Sequence, residues 1–168
     1  ACLDANTGGV YNTAVGRSAL GANTTGGYNV AMGVGALEVN TTASHNTAVG
    51  SFSLDANTTG EYNTAVGRNA LTANTTANYN TGVGYDALAA NTIGTENVAV
   101  GTQALDANTT GSYNIAIGHN ALGANTTGGQ NVAIGLEAYK TDTDGSYTTA
   151  IGYKALKSTT VAGTTAVG

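Results

Sequence analysis

"NTAVGRSALGANTTGGYNVAMG", residues 12–33, contains its own beginning twice: Asn12-Thr13-Ala14-Val15-Gly16 returns as Asn29-Val30-Ala31-Met32-Gly33. Working outward, the motif glycine recurs at Gly16, Gly33, Gly50, Gly67, Gly84, Gly101, Gly118, Gly135 and Gly152, and every step is 17 residues. An asparagine column runs through Asn12, Asn29, Asn46, Asn63, Asn80, Asn97, Asn114 and Asn131, and Thr148 breaks it. A second runs through Asn6, Asn23, Asn40, Asn57, Asn74, Asn91, Asn108 and Asn125, before Asp142 and Thr159 replace it. A leucine column holds Leu3, Leu20, Leu37, Leu54, Leu71, Leu88, Leu105 and Leu122, then Tyr139, then Leu156. A fixed period of this size over a whole chain is the signature of a stacked repeat architecture, in which each repeat contacts only its neighbours.

Composition agrees. The 168 residues include 25 Gly, one Phe, no Trp and no Pro, and only 9% are charged. Hydrophobic residues reach 41%, but Ala supplies much of this, so large core side chains are scarce and an ordinary globular core is hard to fill. Low charge and absence of Pro also argue against disorder. The net charge is -5, and the basic residues are Arg17, Arg68, Lys140, Lys154 and Lys157. They are too few and too dispersed for a nucleic-acid groove or a polybasic membrane patch. Cys2 is alone, so the chain carries no internal disulfide framework. No apolar run approaches the length of a membrane span or marks a signal peptide. Leu3 lies 17 before Leu20, so the chain begins inside a coil and reads as a segment of a longer protein.

Two segments per repeat read as short strands: N-x-A-[VIM]-G, as in Asn114–Gly118, and A-L-x-A-N-T, as in Ala121–Thr126. Helix is the competing assignment, but Gly, Asn and Thr-Thr interrupt every candidate before the ~12 residues that a stable helix wants. Stacking about ten coils at ~4.8 Å gives a rod roughly 45 Å long, with Asn amide ladders and apolar Leu and Val columns. Alternation along the first strand puts Val15, Met32, Val49 and their successors on one face, taken as the core, and the Ala14, Ala31, Ala48 column on the other. An outward alanine stripe beside a tyrosine column (Tyr11, Tyr28, Tyr62, Tyr79, Tyr113, Tyr147) would let a second backbone approach closely. This points to a parallel homotrimer. The alternative is a monomeric solenoid covered by these same residues.

Tandem N-x-A-[VI]-G followed by x-x-A-L resembles the head repeats of trimeric autotransporter adhesins, and the N-T-A-[VI]-G…A-L…N-T-T-G arrays of phage tail-fibre-like and other bacterial surface-fibre proteins. The resemblance covers essentially the whole chain. It implies a left-handed, parallel, trimeric β-roll on a cell or virion surface, with a surface glycan or host receptor as partner. The adhesin-head repeat is usually shorter than 17, which implies an extra loop per coil here. No ligand-binding residue carries over, because the matching motif residues are structural.

Chemistry is sparse. His45 falls in the tyrosine column and His119 in the column of Arg17, Arg68 and Tyr85; neither has a matched Ser or Cys, and no catalytic residue is assigned. Gly82-Val83-Gly84-Tyr85-Asp86-Ala87 matches a dinucleotide fingerprint by accident of the repeat and opens no helix, so no cofactor is expected. Asp142-Thr143-Asp144-Gly145 begins like a calcium loop but lacks the later Glu and occupies the N-T-T-G turn, so it reads as a turn rather than a metal site. Asn23, Asn40, Asn57, Asn74, Asn108 and Asn125 each open an N-T-T triplet that satisfies the N-glycosylation pattern; a capped turn with ladder hydrogen bonds is the other reading. The Thr24, Thr41, Thr58, Thr75, Thr109 and Thr126 pairs resemble ice-binding threonine arrays, although adjacent threonines point to opposite faces of a strand. The two positions after the motif glycine, Arg17-Ser18 through Tyr153-Lys154, differ in every coil and form a solvent strip on which recognition or drift can act.

The array degrades over 139–168. Tyr139 and Asp142 replace Leu and Asn, and Gly168 follows Gly152 by 16, so one residue is missing between Lys157 and Thr165. This reads as the approach to a cap or neck, or as a chance deletion. The sequence therefore supports one array, 1–168: an all-β parallel solenoid serving as a non-enzymatic segment of an extracellular fibre, either an adhesin head or a tail-fibre shaft. The alternatives are a glycosylated fibril subunit and an ice-binding solenoid.

Overall fold

A computed structural model describes all 168 residues. Each coil contributes one three-residue strand: β1 Thr13–Val15, β2 Val30–Met32, β3 Thr47–Val49, β4 Thr64–Val66, β5 Thr81–Val83, β6 Val98–Val100, β7 Ile115–Ile117, β8 Val132–Ile134, β9 Thr149–Ile151 and β10 Thr165–Val167. They form one parallel sheet in sequence order, with Ala14 beside Ala31, Ala31 beside Ala48 and so on up the stack. There is no helix. The chain is an all-β parallel solenoid with a 17-residue repeat.

Which face of the strand looks inward is the first correction. Ala31, Ala48, Ala65, Ala99, Ala116, Ala133 and Ala150 are fully buried, whereas Val15, Met32, Val66, Val100 and Ile117 are exposed. The core is the alanine column and the solvent face is the β-branched one, the reverse of the sequence expectation. The reason lies one step earlier in the strand. Asn29 must point inward to donate to the Ala43 carbonyl one rung on, and alternation then carries Ala31 inward with it and sends Val30 and Met32 out. Space agrees: a Cβ added at Gly82 would already meet Leu71 Cγ at 3.4 Å and the Ala87 carbonyl at 3.2 Å, so the coil cannot hold a second large column. The alanine stripe is therefore inward and not available as a surface for a second chain.

Because Gly82 stands where Ala65 and Ala99 stand in adjacent coils, Gly82→Ala fills the column. It is expected to stabilise the protein by about 0.5–1 kcal/mol, read as a higher urea midpoint, because it also reduces the freedom of the unfolded chain.

The second correction concerns A-L-x-A-N-T, which forms turns rather than a strand. Its leucine takes a left-handed conformation in every coil, for example φ 51° at Leu20 and 55° at Leu122. Two further corners per coil do the same, one at Ser18, Asn69 or Asp86 and one at Tyr28, Tyr62 or Tyr79. L-residues adopt this region reluctantly, and here the stack imposes it. Of 107 backbone hydrogen bonds only 18 lie within the strands. The corners themselves are laddered: Leu20 N–H donates to the Ala36 carbonyl, Leu37 to Ser53 and Leu54 to Ala70, at 3.0–3.1 Å. Stacking is therefore carried around the whole coil.

At the end of the array β10 stays in register with β9, Ala166 beside Ala150. The missing residue is taken up in the turn before β10, where Gly163 adopts φ 71°.

Candidate functional surfaces

Both asparagine columns are interior ladders. In the first, Asn46 Nδ2 donates to the Gly60 carbonyl and Asn46 Oδ1 accepts the Asn63 N–H, and the unit repeats from Asn12 and Asn29 through Asn63, Asn80, Asn97 and Asn114 to Asn131. In the second, each Asn Nδ2 from Asn23 onward donates twice: Asn74 gives one hydrogen to Asn57 Oδ1 at 2.9 Å and the other to the Ala77 carbonyl at 3.1 Å. The same pair of bonds forms at Asn23, Asn40, Asn57, Asn108 and Asn125. These six sequon nitrogens are buried with both hydrogens in use, so the folded coil has no place for a sugar on them. No buried side-chain polar atom lacks a partner.

The threonines that follow do not form a two-column array. Thr24, Thr58, Thr109 and Thr126 each turn the hydroxyl along the axis to donate to a carbonyl of the next coil, leaving the second threonine of each pair outward.

Where the ladder sequence changes, the changes compensate one another. Tyr139 stands in the leucine column, Asp142 in one asparagine column and Thr148 in the other. The Tyr139 hydroxyl donates to Asp142 Oδ2 at 2.7 Å and accepts from Thr148 Oγ1 at 3.2 Å. Asp142 Oδ1 accepts the N–H groups of Asp144 and Gly145. Burial pushes the Asp142 carboxyl up, but the Tyr139 hydroxyl and the Gly145, Asp144 and Thr143 N–H groups outweigh it and hold the pKa below the usual range. The carboxylate that looked like the start of a calcium loop is thus a buried turn cap held by protein donors. Burial pushes the Tyr139 hydroxyl up to about 12, and the Asp142 charge adds to the rise, while Thr148 opposes it.

A raised tyrosine pKa means that the folded state prefers the proton. This stabilisation is complete below the ordinary value of 10.0 and is lost as pH rises towards about 12. Urea midpoints measured across that interval should fall, and Tyr139→Phe should lack that component of the fall.

Three lysines gather on Glu137: Lys140 at 2.8 Å, Lys157 at 2.6 Å and Lys154 at 3.9 Å. Hydrogen bonds from Lys140 and Lys157 hold the Glu137 carboxyl down to about 2. The acids Glu38, Asp55, Asp86 and Asp106 occupy this same side of the coil in earlier repeats. Nowhere do three or more His, Cys, Asp or Glu side chains converge as metal ligands would. His45 lies inside the tyrosine column, and His119 lies more than four coils away on the variable strip. The first variable position is the outward one at Arg17, Arg68, Tyr85, Thr102, His119, Leu136 and Tyr153.

Two surfaces stand out that sequence reasoning placed wrongly or did not foresee. The first is the outer face of the sheet. Its twenty outward strand positions are all Thr, Val or Ile except Met32, and none is charged. The second is a continuous stack of rings, Tyr11–Tyr28–His45–Tyr62–Tyr79. Centroids are 4.9, 4.9, 4.8 and 5.2 Å apart, and all but the first pair lie within 8° of parallel. The 17-residue period was the available signal for this stack, since it sets like residues one rung apart.

Comparison with protein-family models, with curated proteins and with solved structures returned no match. No helix is long and apolar enough to cross a membrane.

Proposed function

We propose that this chain is a rigid, non-enzymatic segment of an extracellular fibre on a cell or virion surface, an adhesin head or tail-fibre shaft, assembled as a parallel homotrimer of left-handed coils. The observation that carries the reading is the outer sheet face. Ten rungs of uncharged, almost wholly β-branched side chains, threonine among the valines and isoleucines, make a continuous, largely apolar wall of a kind that monomeric proteins rarely leave in water. The charges lie off this face, with Glu38, Asp55, Asp86, Asp106, Glu137 and the lysines on the leucine corner and Glu61 and Glu96 at the tyrosine corner. A parallel assembly through the wall buries the former and leaves the latter in solvent. The variable strip then stays outward, where a surface glycan or host receptor could be met without disturbing the stack.

The native mass in solution tests this. Assembly as proposed gives three times 16.5 kDa, and Ile117→Lys, on an exposed side chain of the wall, should give a folded monomer. A wild-type monomer would overturn the trimer, and thermal hysteresis measured on it would then decide for or against an ice-binding face.

A further inference from the structure

The stacked rings suggest covalent chemistry that is independent of the trimer. Tyr11, Tyr28, Tyr62 and Tyr79 are each about half exposed or more, so their phenols are open to a small oxidant or to an oxidising enzyme. Within the pairs Tyr11–Tyr28 and Tyr62–Tyr79 the rings lie one rung apart, at 4.9 and 5.2 Å between centroids. Their corner conformations are nearly the same, with φ between 58° and 60°, so both phenols of a pair leave the backbone in the same direction. His45 lies between Tyr28 and Tyr62 and holds them two rungs apart. Beyond Tyr79 the column is interrupted by Glu96 and Gln130, which leaves Tyr113 and Tyr147 without an aromatic neighbour. Tyr139 is buried in the core.

We propose that the Tyr11–Tyr28 and Tyr62–Tyr79 pairs are sites of oxidative dityrosine cross-linking, which staples adjacent coils of the same chain. The substrate class is the phenol pair itself, and the co-reactant is a peroxide acting through a peroxidase. Each phenol gives up one electron and its hydroxyl proton to become a phenoxyl radical. Two radicals join through their ortho carbons, forming one carbon–carbon bond. The hydrogens on those carbons leave as protons and both oxygens regain one, which restores two phenols. The pair has then lost two electrons and two protons, and these convert one hydrogen peroxide to two water molecules. The rings must swing from their stacked positions for the ortho carbons to meet, and their exposure leaves them free to do so. The result is a covalent loop of one coil at each pair, which limits how far the early coils can separate when the stack opens.

The experiment treats the whole chain with horseradish peroxidase and hydrogen peroxide, then reads dityrosine fluorescence, denatured mass and linked peptides. The expected result is a loss of two hydrogen atoms per link in a chain of unchanged length, with links mapped to Tyr11–Tyr28 and Tyr62–Tyr79. Tyr28→Phe should remove the first link and Tyr62→Phe the second, since phenylalanine keeps a ring in the stack but has no phenol. His45→Tyr should add links to Tyr28 and Tyr62, because it fills the gap between the pairs. Links spread evenly over Tyr85, Tyr113, Tyr147 and Tyr153, links only between chains, or no links at all would each overturn the proposal.

Discussion

Replacing Gly84 with alanine should break the rod near its middle. This motif glycine has φ 135°, and a Cβ placed on it would lie 2.5 Å from the Gly101 carbonyl oxygen and 2.6 Å from the carbonyl carbon. Both atoms belong to the backbone of the next coil, so no side chain can swing aside. The backbone conformation is one that L-residues avoid, and the contact pushes β5 away from β6 where their register is set by Gly82 and Ala99. Strain and overpacking together should destabilise the protein by about 3–5 kcal/mol. In a one-dimensional stack the damage falls on a single interface, so urea unfolding should change from one transition to two. Gly27→Ala is the control. Its column already holds Ser44 and Glu61, and its effect should stay within about 1 kcal/mol.

The second large effect is expected from Asn74→Asp. Asn74 donates to Asn57 Oδ1 and to the Ala77 carbonyl, and its Oδ1 accepts from Asn91 Nδ2 at 3.1 Å. A carboxylate keeps the acceptor but loses both donors, and it faces two oxygens that have lost their hydrogens. The Ala77 carbonyl keeps its bond from Asn63 Nδ2, but the orphaned Asn57 Oδ1 and an uncompensated buried charge should together destabilise by at least about 3 kcal/mol at neutral pH. The same substitution occurs naturally at Asp142, where Tyr139 and Thr148 accompany it. Adding Leu71→Tyr and Asn80→Thr to Asn74→Asp therefore copies that set four coils lower down the same columns. The triple variant should recover more than the sum of the single effects allows, with a coupling of roughly 1 kcal/mol or more. Urea midpoints of the singles and the triple supply the comparison. By contrast Thr75→Ala removes only a half-buried hydroxyl bond of 3.3 Å and should stay below about 1 kcal/mol.

These two sites also mark how far the sequence could be read. The 17-residue columns gave the solenoid, its parallel register and the asparagine and leucine ladders, because identical residues one period apart lie above one another in a stack. The phase of the strand was not legible from hydrophobicity. Val and Ile are the larger apolar groups, and burying them is the ordinary expectation, yet Asn29 and its equivalents demand the inward side and Ala31 follows two residues later. The turn at A-L-x-A-N-T was hidden for a different reason. Leu20 at φ 51° and Tyr28 at φ 59° oppose local preference, and only the hydrogen bonds from neighbouring coils hold them there. The N-T-T triplets matched a modification pattern because that pattern is blind to burial. Their nitrogens were already committed to the ladder. The aromatic stack follows from the period once Tyr, Tyr, His, Tyr, Tyr are written in one column, although its outward direction needed the corner geometry.

The central claim is that hydrogen bonding runs around every corner of the coil and not only through the strands. Backbone amide hydrogen exchange tests it most directly. The N–H groups of Leu37, Leu54, Leu71, Leu88 and Leu105, each bonded to a carbonyl of the next coil, should exchange as slowly as those of Thr47, Thr64 and Thr81 in the strands. Protection confined to the strand amides, with the leucine amides exchanging like those of open loops, would contradict the account.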